Sequence, residues 1–244
     1  MILIKYPPKC PLKVHISILN YCNLNCEKCY YKNENKNKLL SLTQIEHLFK
    51  EWKKKGIKSI AIGGGEPLLH PDIIEITRIS KRFGFFTAVT TNGTILKRIF
   101  ADRIHISADE LHPTFENLKI IQKAINYYKN IGIKKVGINH IMTTLRAFKK
   151  IKKLKNVDNI LLIKEKPENH FNWYKIKKIH KYWLDSCLCD IFKFIKCEQG
   201  IVSFFIDYEL KASICSNYPK RIKYENIEKT IKILRTLKCD IRGD

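Results

Sequence analysis

The sequence predicts an α/β protein whose main part is a partial (β/α)6 TIM-like barrel, followed by a small β-hairpin and a helix. The main observation is that short apolar segments alternate with amphipathic helical segments over the first 163 residues. Strands that alternate with helices form parallel sheets with right-handed crossovers. Six such units are fewer than the usual eight-stranded barrel contains, so we expect an open or partial barrel.

The predicted strands and helices follow one another in a regular order. Six segments have the length and apolar character of parallel strands: Val14–Leu19, Ile57–Ile62, Phe85–Thr90, Arg103–Ser107, Lys135–Met142 and Asn159–Ile163. The predicted helices run from Ser41 to Gly56, from His70 to Arg82, from about Ile95 to Phe100, from Pro113 to Asn130 and from about Thr144 to Leu154. Ser41 and Gln44 have the spacing of a capping box at the start of the first helix.

The alternation ends near Trp183, and the rest of the chain has a different pattern. Segments 201–207 and 211–215 predict a β-hairpin that turns at residues 208–210, and an amphipathic helix follows and ends near Cys239. We therefore predict two domains: a barrel over residues 1–186 and a cysteine-containing extension over residues 187–244.

Composition indicates an ordinary globular protein of the cytoplasm. No apolar segment approaches the length that crosses a membrane, and the apolar start of the chain is too short for a signal peptide. Nine cysteines, an odd number with three closely clustered, favour a reducing compartment and metal ligation over disulfides.

The net charge of +23 points to an anionic partner. Residues 117–157 contain no acidic side chain and many lysines, a pattern that attracts RNA, another polyanion or an acidic protein. The alternative is that lysine is a solvated surface residue throughout this sequence. These lysines lack the interleaved arginines and aromatic residues that read bases.

Three cysteines follow the first predicted strand within eight residues, Cys22, Cys26 and Cys29. Three thiolates on one loop can hold three corners of a cubane iron–sulfur cluster and leave its fourth iron open. The alternative is a closed zinc site with a fourth ligand such as Cys10.

Further polar and glycine-rich turns fall at the ends of the second, third and fourth strands: Gly63–Pro67, Thr91–Gly93 and Ser107–Asp109. In parallel α/β folds the working groups lie at these carboxyl ends. Consecutive glycines let a backbone approach a ligand closely. For Ser107, Asp109 and Asn139, ordinary caps and strand-end hydrogen bonds are equally good interpretations. His15 and His105 fall inside strands and are interpreted as packed, whereas His70 and His112 follow strand ends and could face the site.

The cysteine spacing and the turn Gly64-Gly65-Glu66-Pro67 together resemble the radical S-adenosylmethionine (radical SAM) superfamily. The resemblance implies a [4Fe–4S] cluster on the three cysteines, with S-adenosylmethionine on the open iron. One electron then cleaves this cofactor to methionine and a 5′-deoxyadenosyl radical, which abstracts hydrogen from a substrate.

The resemblance also implies roles for cofactor-binding residues. Gly64, Gly65 and Glu66 would bind the methionine amino group, Ser107 would lie near the carboxylate and Asn139 near the ribose. One departure is Lys28, because many members have an aromatic residue just before the third cysteine. Tyr30 and Tyr31 follow that cysteine and could cover the adenine instead.

The C-terminal cysteines resemble the start of an auxiliary-cluster module of the SPASM or twitch type. Cys197 and Cys215 flank the predicted hairpin, with Leu210 where the module has glycine. Cys239 would be a third ligand, and Cys189 or Cys187 a fourth. The alternative is that these are buried thiols that pack as small apolar groups.

The expected function is therefore that of a radical SAM enzyme served by a one-electron reductant such as a flavodoxin or ferredoxin. A peptide or protein is the first expected substrate, with a small molecule beside it in a dehydrogenase or cyclase. An RNA-modifying enzyme is the next alternative. A non-enzymatic zinc or iron–sulfur module that docks on nucleic acid is the rival from a different class.

Overall fold

The computed structural model describes residues 11–29, 31, 37–165, 182–184 and 203–237. The strands in these parts are β1 (Lys13–Ser17), β2 (Ser59–Gly63), β3 (Phe86–Thr91), β4 (Arg103–Ser107), β5 (Lys135–Met142), β6 (Asn159–Lys164), β7 (Trp183–Leu184), β8 (Ser203–Ile206), β9 (Lys211–Ser213) and β10 (Ile222–Lys223). The α-helices are α1 (Leu42–Lys54), α2 (Ile73–Arg82), α3 (Leu118–Asn130), α4 (Leu145–Ile151) and α5 (Ile227–Leu234). Short 3₁₀ helices span Pro67–Leu69 and Pro113–Glu116.

All of these strands belong to one open sheet. Strands β1 to β6 lie side by side in chain order, and each pairs in parallel with the next. On one side β7 pairs in parallel with β6, and on the other side β8 pairs in parallel with β1. The predicted fold class is confirmed, because the sheet is rich in parallel strands and does not close. The carboxyl ends of β1 to β6 therefore meet at one edge of the sheet.

Most predicted boundaries agree with the structure within a few residues, but one predicted helix is wrong. Residues 95–100 form a bend and an irregular segment between β3 and β4. Phe100 N donates to Thr77 Oγ1 of α2 at 3.1 Å, and Ile95 O accepts from Tyr128 OH of α3 at 3.3 Å. Tertiary hydrogen bonds thus occupy backbone groups that a helix would pair internally. The predicted helix from Pro113 is also divided at Asn117, which caps α3.

Helix α1 begins at the predicted capping box and covers the sheet with one apolar face. Gln44 N donates to Ser41 Oγ at 3.2 Å, and Ser41 N donates back to Gln44 Oε1 at 2.8 Å. The buried residues of the helix are Ile45, Leu48, Phe49 and Trp52. Their spacing of three and four residues places them on one face, which is the pattern that predicts a core-facing helix.

The predicted C-terminal hairpin is formed by β8 and β9, and its first strand extends the barrel sheet beside β1. The predicted division into two domains after residue 186 remains a prediction. Helix α5 buries Ile227, Ile231 and Leu234 and ends at Leu234, before the predicted end near Cys239, which lies outside the described residues. In the described parts of the chain, no helix is long and apolar enough to cross a membrane.

Helix α5 is attached to α1 through the carboxylate of Glu51. Its Oε1 accepts from Ile227 N and its Oε2 from Tyr224 OH, both at 2.7 Å. Tyr224 OH in turn accepts from Trp52 Nε1 at 2.9 Å. These bonds join two distant parts of the chain, so they contribute to the fold and not only to one helix.

We expect Glu51→Ala to lower the free energy of unfolding by about 1–3 kcal/mol, because it leaves a buried hydroxyl and a helix N–H without their acceptor. Urea denaturation followed by circular dichroism measures the change. Glu46→Ala is the matched control, since Glu46 lies exposed on the same helix and should change stability by less than about 0.5 kcal/mol. Equal effects of the two substitutions would contradict this role of Glu51.

Candidate active site

A cavity of about 590 Å³ occupies the interior of the barrel and opens at the carboxyl ends of the strands. Side chains from β1 to β6, from the loop that follows β1 and from the C-terminal hairpin line it. Predicted site residues on its wall are Cys22, Cys26, Cys29, Gly64, Gly65, Ser107, Asn139 and Cys215. The structure thus brings together residues that are far apart in the sequence.

The glycine turn holds the cysteine loop in place by direct backbone pairing. Gly65 N donates to Leu19 O at 3.0 Å, and Glu66 N donates to Tyr21 O at 2.9 Å. A Cβ atom on Gly65 would overlap the carbonyl oxygen of Tyr21. Gly64 has a φ of +141°, a conformation that side chains other than glycine rarely adopt. The two glycines therefore allow the cysteine loop to lie against the end of β2.

Glu66 is fully buried, and its carboxylate is bound by its own chain. It accepts from Leu68 N at 3.0 Å, Thr91 Oγ1 at 2.9 Å and Asn92 N at 2.7 Å. Burial raises the pKa of Glu66, and these three donors oppose that shift. Pro67, also buried, begins the 3₁₀ helix that follows. The predicted contact of Glu66 with a methionine amino group remains a prediction.

The three loop cysteines lie close enough to affect one another. Burial, and then the charges of the neighbouring Cys29 and Cys22 thiolates, raise the pKa of Cys26 to about 11. Burial likewise raises the pKa of Cys22, to which Leu24 N donates at 3.3 Å. In the described part of the chain, no three Cys, His, Asp or Glu side chains are gathered tightly around one point as a single metal ion requires. Mutual repulsion of three thiolates is the electrostatic condition that a positively charged iron centre relieves.

Ser107 and Asn139 are register partners on β4 and β5 and both face the cavity. The side-chain oxygen of Asn139 is buried and has no hydrogen-bond partner among the described residues. A buried acceptor of this kind costs free energy unless a ligand or water donates to it. This atom therefore fits a ligand hydroxyl or amine at the end of β5.

Asp109 and His112 form a buried pair just beyond β4. His112 Nδ1 lies 2.9 Å from Asp109 Oδ1, and Leu111 N also donates to that oxygen at 3.1 Å. Burial acts to lower the pKa of His112, but the hydrogen bond and the charge of Asp109 outweigh it and raise the pKa. The ring lines the cavity, as the position of His112 after a strand end predicted. His70 instead is fully buried, with Nε2 at 2.8 Å from Leu40 O, and does not line the cavity.

The end of the cavity nearest the amino ends of the strands is basic. We did not predict a function for these residues from the sequence. Lys13 and Arg103 begin β1 and β4, and His15 and His105 follow two residues later on the same faces. Both histidines line the cavity, and their interpretation as packed rather than functional remains a prediction. These four residues are named here the basic end. The signal was available in the sequence, because β1 reads KVHIS and β4 reads RIHIS. Alternation with period two places the basic residue, histidine and serine on one face of each strand.

Burial and like charge lower the pKa values of three side chains at the basic end. Burial lowers the pKa of Lys13, and the Arg103 charge lowers it further. Burial and then the Lys13 charge lower the pKa of His15 to about 3. Burial and then the Arg103 charge lower the pKa of His105 to about 4. Both histidines are therefore neutral near pH 7, and Lys13 and Arg103 carry the charge.

Lys28, which stands where many members of the superfamily have an aromatic residue, lies at the mouth of the cavity. Lys28 Nζ forms an ion pair of 2.7 Å with Glu165, which follows β6, and so joins the cysteine loop to the opposite side of the barrel. Tyr31 lines the cavity, hydrogen-bonds to Ser17 and contacts the ring of Tyr208 at 5.9 Å between centroids. Tyr30 lies outside the described residues.

The proposed auxiliary cluster remains a prediction. Cys215 follows β9, is partly buried and lines the same cavity as the loop cysteines. The other cysteines considered for metal binding, Cys10, Cys187, Cys189, Cys197 and Cys239, lie outside the described residues.

Comparison with known proteins agrees with this geometry. A family model described as the Radical SAM superfamily matches residues 16–173, more than half of the chain. The chain is 34% identical over 148 residues to a probable GTP 3′,8-cyclase of Methanococcus aeolicus, which covers 53% of this chain and 50% of that protein. It is 39% identical over 131 residues to a GTP 3′,8-cyclase of Aquifex aeolicus, covering 48% and 41%. The chain thus spans about half the length of the curated relatives it matches.

Solved structures share the fold at lower identity. SuiB of Streptococcus suis, bound to its precursor peptide SuiA, has a TM-score of 0.73 and 16% identity, covering 96% of this chain and 66% of that chain. The protein anSMEcpe, with bound AdoMet and a Cp18Cys peptide, has a TM-score of 0.65 and 18% identity, covering 91% and 80%. At these identities the likeness shows the partial barrel alone.

We expect Gly65→Ala to prevent iron–sulfur assembly while the barrel remains folded, because the new methyl group displaces the cysteine loop from the glycine turn. Iron and sulfide per chain after anaerobic reconstitution measure the loss, and circular dichroism checks the fold. Gly63→Ala is the matched control, since a Cβ atom there meets nothing within 4 Å. Full iron content in the Gly65 variant would show that the close approach is not needed.

Proposed function

Because the chain belongs to the radical SAM superfamily, we propose that it is an enzyme that holds a [4Fe–4S] cluster on Cys22, Cys26 and Cys29 and acts on a small anionic molecule. When bound, the cluster and S-adenosylmethionine supply a 5′-deoxyadenosyl radical that abstracts hydrogen. The chain's own residues hold these groups, orient the substrate and exclude water from the barrel. The reaction also needs one electron from a reductant such as a flavodoxin or ferredoxin.

Binding of the cofactor is supported by the upper wall of the cavity. Gly64 and Gly65 bring the backbone to the wall of the cavity beside the cysteine loop, with no side chain in the way. Ser107 and Asn139 present a hydroxyl and an unpartnered amide oxygen from the neighbouring strands. These are the polar groups that an amino acid and a ribose require, and they lie at the strand ends where such folds bind ligands.

The single observation that supports an anionic substrate is the basic end of the cavity. Two cations, Lys13 and Arg103, lie there within each other's field, and the field of Arg103 lowers the pKa of Lys13. A cleft lined by charge of one sign attracts the opposite charge, and a low dielectric strengthens the attraction. A phosphate or carboxylate in this position would relieve the repulsion between the two cations.

Size and sequence relatives favour a small molecule over a peptide or RNA. A cavity of about 590 Å³ lies in the range of small-molecule sites. The relatives named GTP 3′,8-cyclase act, by that name, on a nucleotide, whereas SuiB and its peptide show likeness of fold alone. We therefore replace the expected peptide with a phosphorylated molecule of nucleotide size, and GTP is the first candidate to test.

We expect the anaerobically reconstituted protein to form 5′-deoxyadenosine from S-adenosylmethionine when it is reduced with dithionite. Replacement of Cys22, Cys26 and Cys29 by alanine should abolish this product, because the cluster loses its ligands. Liquid chromatography with mass spectrometry quantifies the product. Unchanged cleavage by the triple variant would refute the assignment of the cluster to this loop.

We expect the double variant Lys13→Met/Arg103→Met to bind GTP at least about 100-fold more weakly than the wild type, since each lost charge-assisted contact is worth about 1.5–3 kcal/mol. Equilibrium dialysis of the reconstituted protein with labelled GTP measures the affinity. Lys119→Met/Lys123→Met is the matched control, because it removes the same charge from the exposed face of α3.

The same variant separates binding from folding. Removing two partly buried like charges should raise the unfolding temperature of the protein, because their mutual repulsion and partial desolvation disappear. Higher stability with unchanged GTP affinity would mean that the basic end does not serve this nucleotide. If total RNA bound to the Lys119→Met/Lys123→Met variant and displaced GTP from it, the result would instead favour the RNA alternative.

A further inference from the structure

Asn92 lies between the glycine turn and the cysteine loop and contacts the sulfur atom of Cys22. It follows β3 directly and is only 6% exposed. Its Nδ2 is 3.5 Å from Cys22 Sγ and 3.0 Å from Asn23 Oδ1. This contact gives the turn Thr91–Gly93 a direct link to a cluster ligand.

The orientation of the Asn92 amide is fixed by its other partners. Thr94 N, which can only donate, lies 3.0 Å from Asn92 Oδ1 and identifies that atom as the oxygen. The Thr94 hydroxyl lies 2.6 Å from the same oxygen. The amide nitrogen therefore faces Cys22, and exchange of the two amide ends would leave Thr94 N facing a donor. The N–H groups of Asn92 point to the sulfur and to Asn23.

The backbone of Asn92 is anchored as firmly as its side chain. Asn92 N donates to Glu66 Oε2 at 2.7 Å, and Glu66 is fixed in turn by Leu68 N and Thr91 Oγ1. The Asn92 residue thus stands between a buried carboxylate and a cysteine sulfur. A donor held this way is preorganised, because no side-chain freedom is lost when the sulfur becomes negative.

Hydrogen bonds to cysteine sulfur change the redox properties of an iron–sulfur cluster. The reduced cluster carries one more negative charge than the oxidised cluster, so an N–H donor to a ligand sulfur stabilises the reduced state more. Leu24 N supplies one such bond to Cys22 at 3.3 Å from within the loop. Asn92 supplies a second bond from outside the loop, where a substitution can remove it without changing the loop backbone.

We propose that Asn92 is a positioning residue that raises the reduction potential of the cluster through its N–H···S hydrogen bond to Cys22. The inference rests on the cluster ligation put forward under Proposed function. It assigns to the turn after β3 a function in setting how readily the cluster accepts an electron. It also explains why Glu66 faces the Asn92 backbone, since this bond fixes the donor's position.

The test is a redox titration of the reconstituted protein without S-adenosylmethionine, monitored by electron paramagnetic resonance. Asn92→Leu keeps the size of the side chain and loses the donor, so its midpoint potential should be more negative than that of the wild type. Asn92→Asp keeps the oxygen that Thr94 N binds but places an acceptor at the sulfur, so its potential should be lower still. Thr94→Ser is the matched control, because it keeps both the Thr94 N–H and the hydroxyl that bind the Asn92 oxygen and should not shift the potential.

A measurement on the wild type guards against variants that assemble no cluster. With asparagine side chains labelled with ¹⁵N, the reduced cluster should show hyperfine coupling to one nitrogen, and Asn92→Asp should lose it. Absence of that coupling, or equal potentials of Asn92→Leu and wild type at full iron content, would overturn the inference alone. A wild type that binds no cluster at Cys22 would overturn the proposed function and this inference together.

Discussion

The backbone pairing between the glycine turn and the cysteine loop is the interaction on which the rest of the site depends. The bonds from Gly65 N to Leu19 O and from Glu66 N to Tyr21 O attach the start of the loop directly to the end of β2. This closeness requires residues without Cβ atoms, which explains why consecutive glycines end β2. The resemblance implies that these glycines bind the cofactor. The structure adds a second reason for them, because they first place the cysteines.

Strands β1 and β4 contain the same types of polar residue in the same order. In β1 and in β4, a cation, a histidine and a serine alternate with apolar residues that enter the core. Because both strands are parallel, each places its cation nearest the amino end, its histidine in the middle and its serine nearest the carboxyl end. Asn159 Nδ2 contacts His105 Nε2 at 3.1 Å, and Gly137 leaves room for that pair, since a Cβ atom there would lie 2.6 Å from the His105 ring. The middle of the cavity is therefore built from neutral polar groups, which separate Lys13 and Arg103 from the cysteines.

Local pattern was sufficient to predict the strands, the hairpin and the cysteine loop, because each depends on residues close in sequence. The segment 95–100 was predicted wrongly because tertiary hydrogen bonds override its helical spacing of apolar residues. Phe100 N donates to Thr77 and Ile95 O accepts from Tyr128, and no local pattern contains these partners. Lys13 and Arg103 were missed for a different reason. Each begins a strand in which polar and apolar residues alternate, and this alternation alone does not show whether the polar face meets solvent or a cavity. Only the observed cavity shows that one face lines a polar interior. The pairing of β8 with β1 likewise depends on residues separated by more than half the chain.

The cost of the basic end bears on whether it is structural or functional. Buried like charges destabilise a fold, and an apolar pair of the same volume would serve the barrel better if packing were the only requirement. Elsewhere in the barrel the chain neutralises its lysines: Lys81 pairs with Asp102 and Lys129 with Asp158, both at 2.6 Å. Each of those aspartates also accepts from the first or second residue of a strand, so the pairs hold the sheet together. Lys13 and Arg103 instead act on each other, since the Arg103 charge lowers the pKa of Lys13. The barrel thus pairs two lysines with aspartates that support strands, and it places two other cations within each other's field on the wall of the cavity. A bound anion would offset that mutual repulsion, whereas packing alone gains nothing from it.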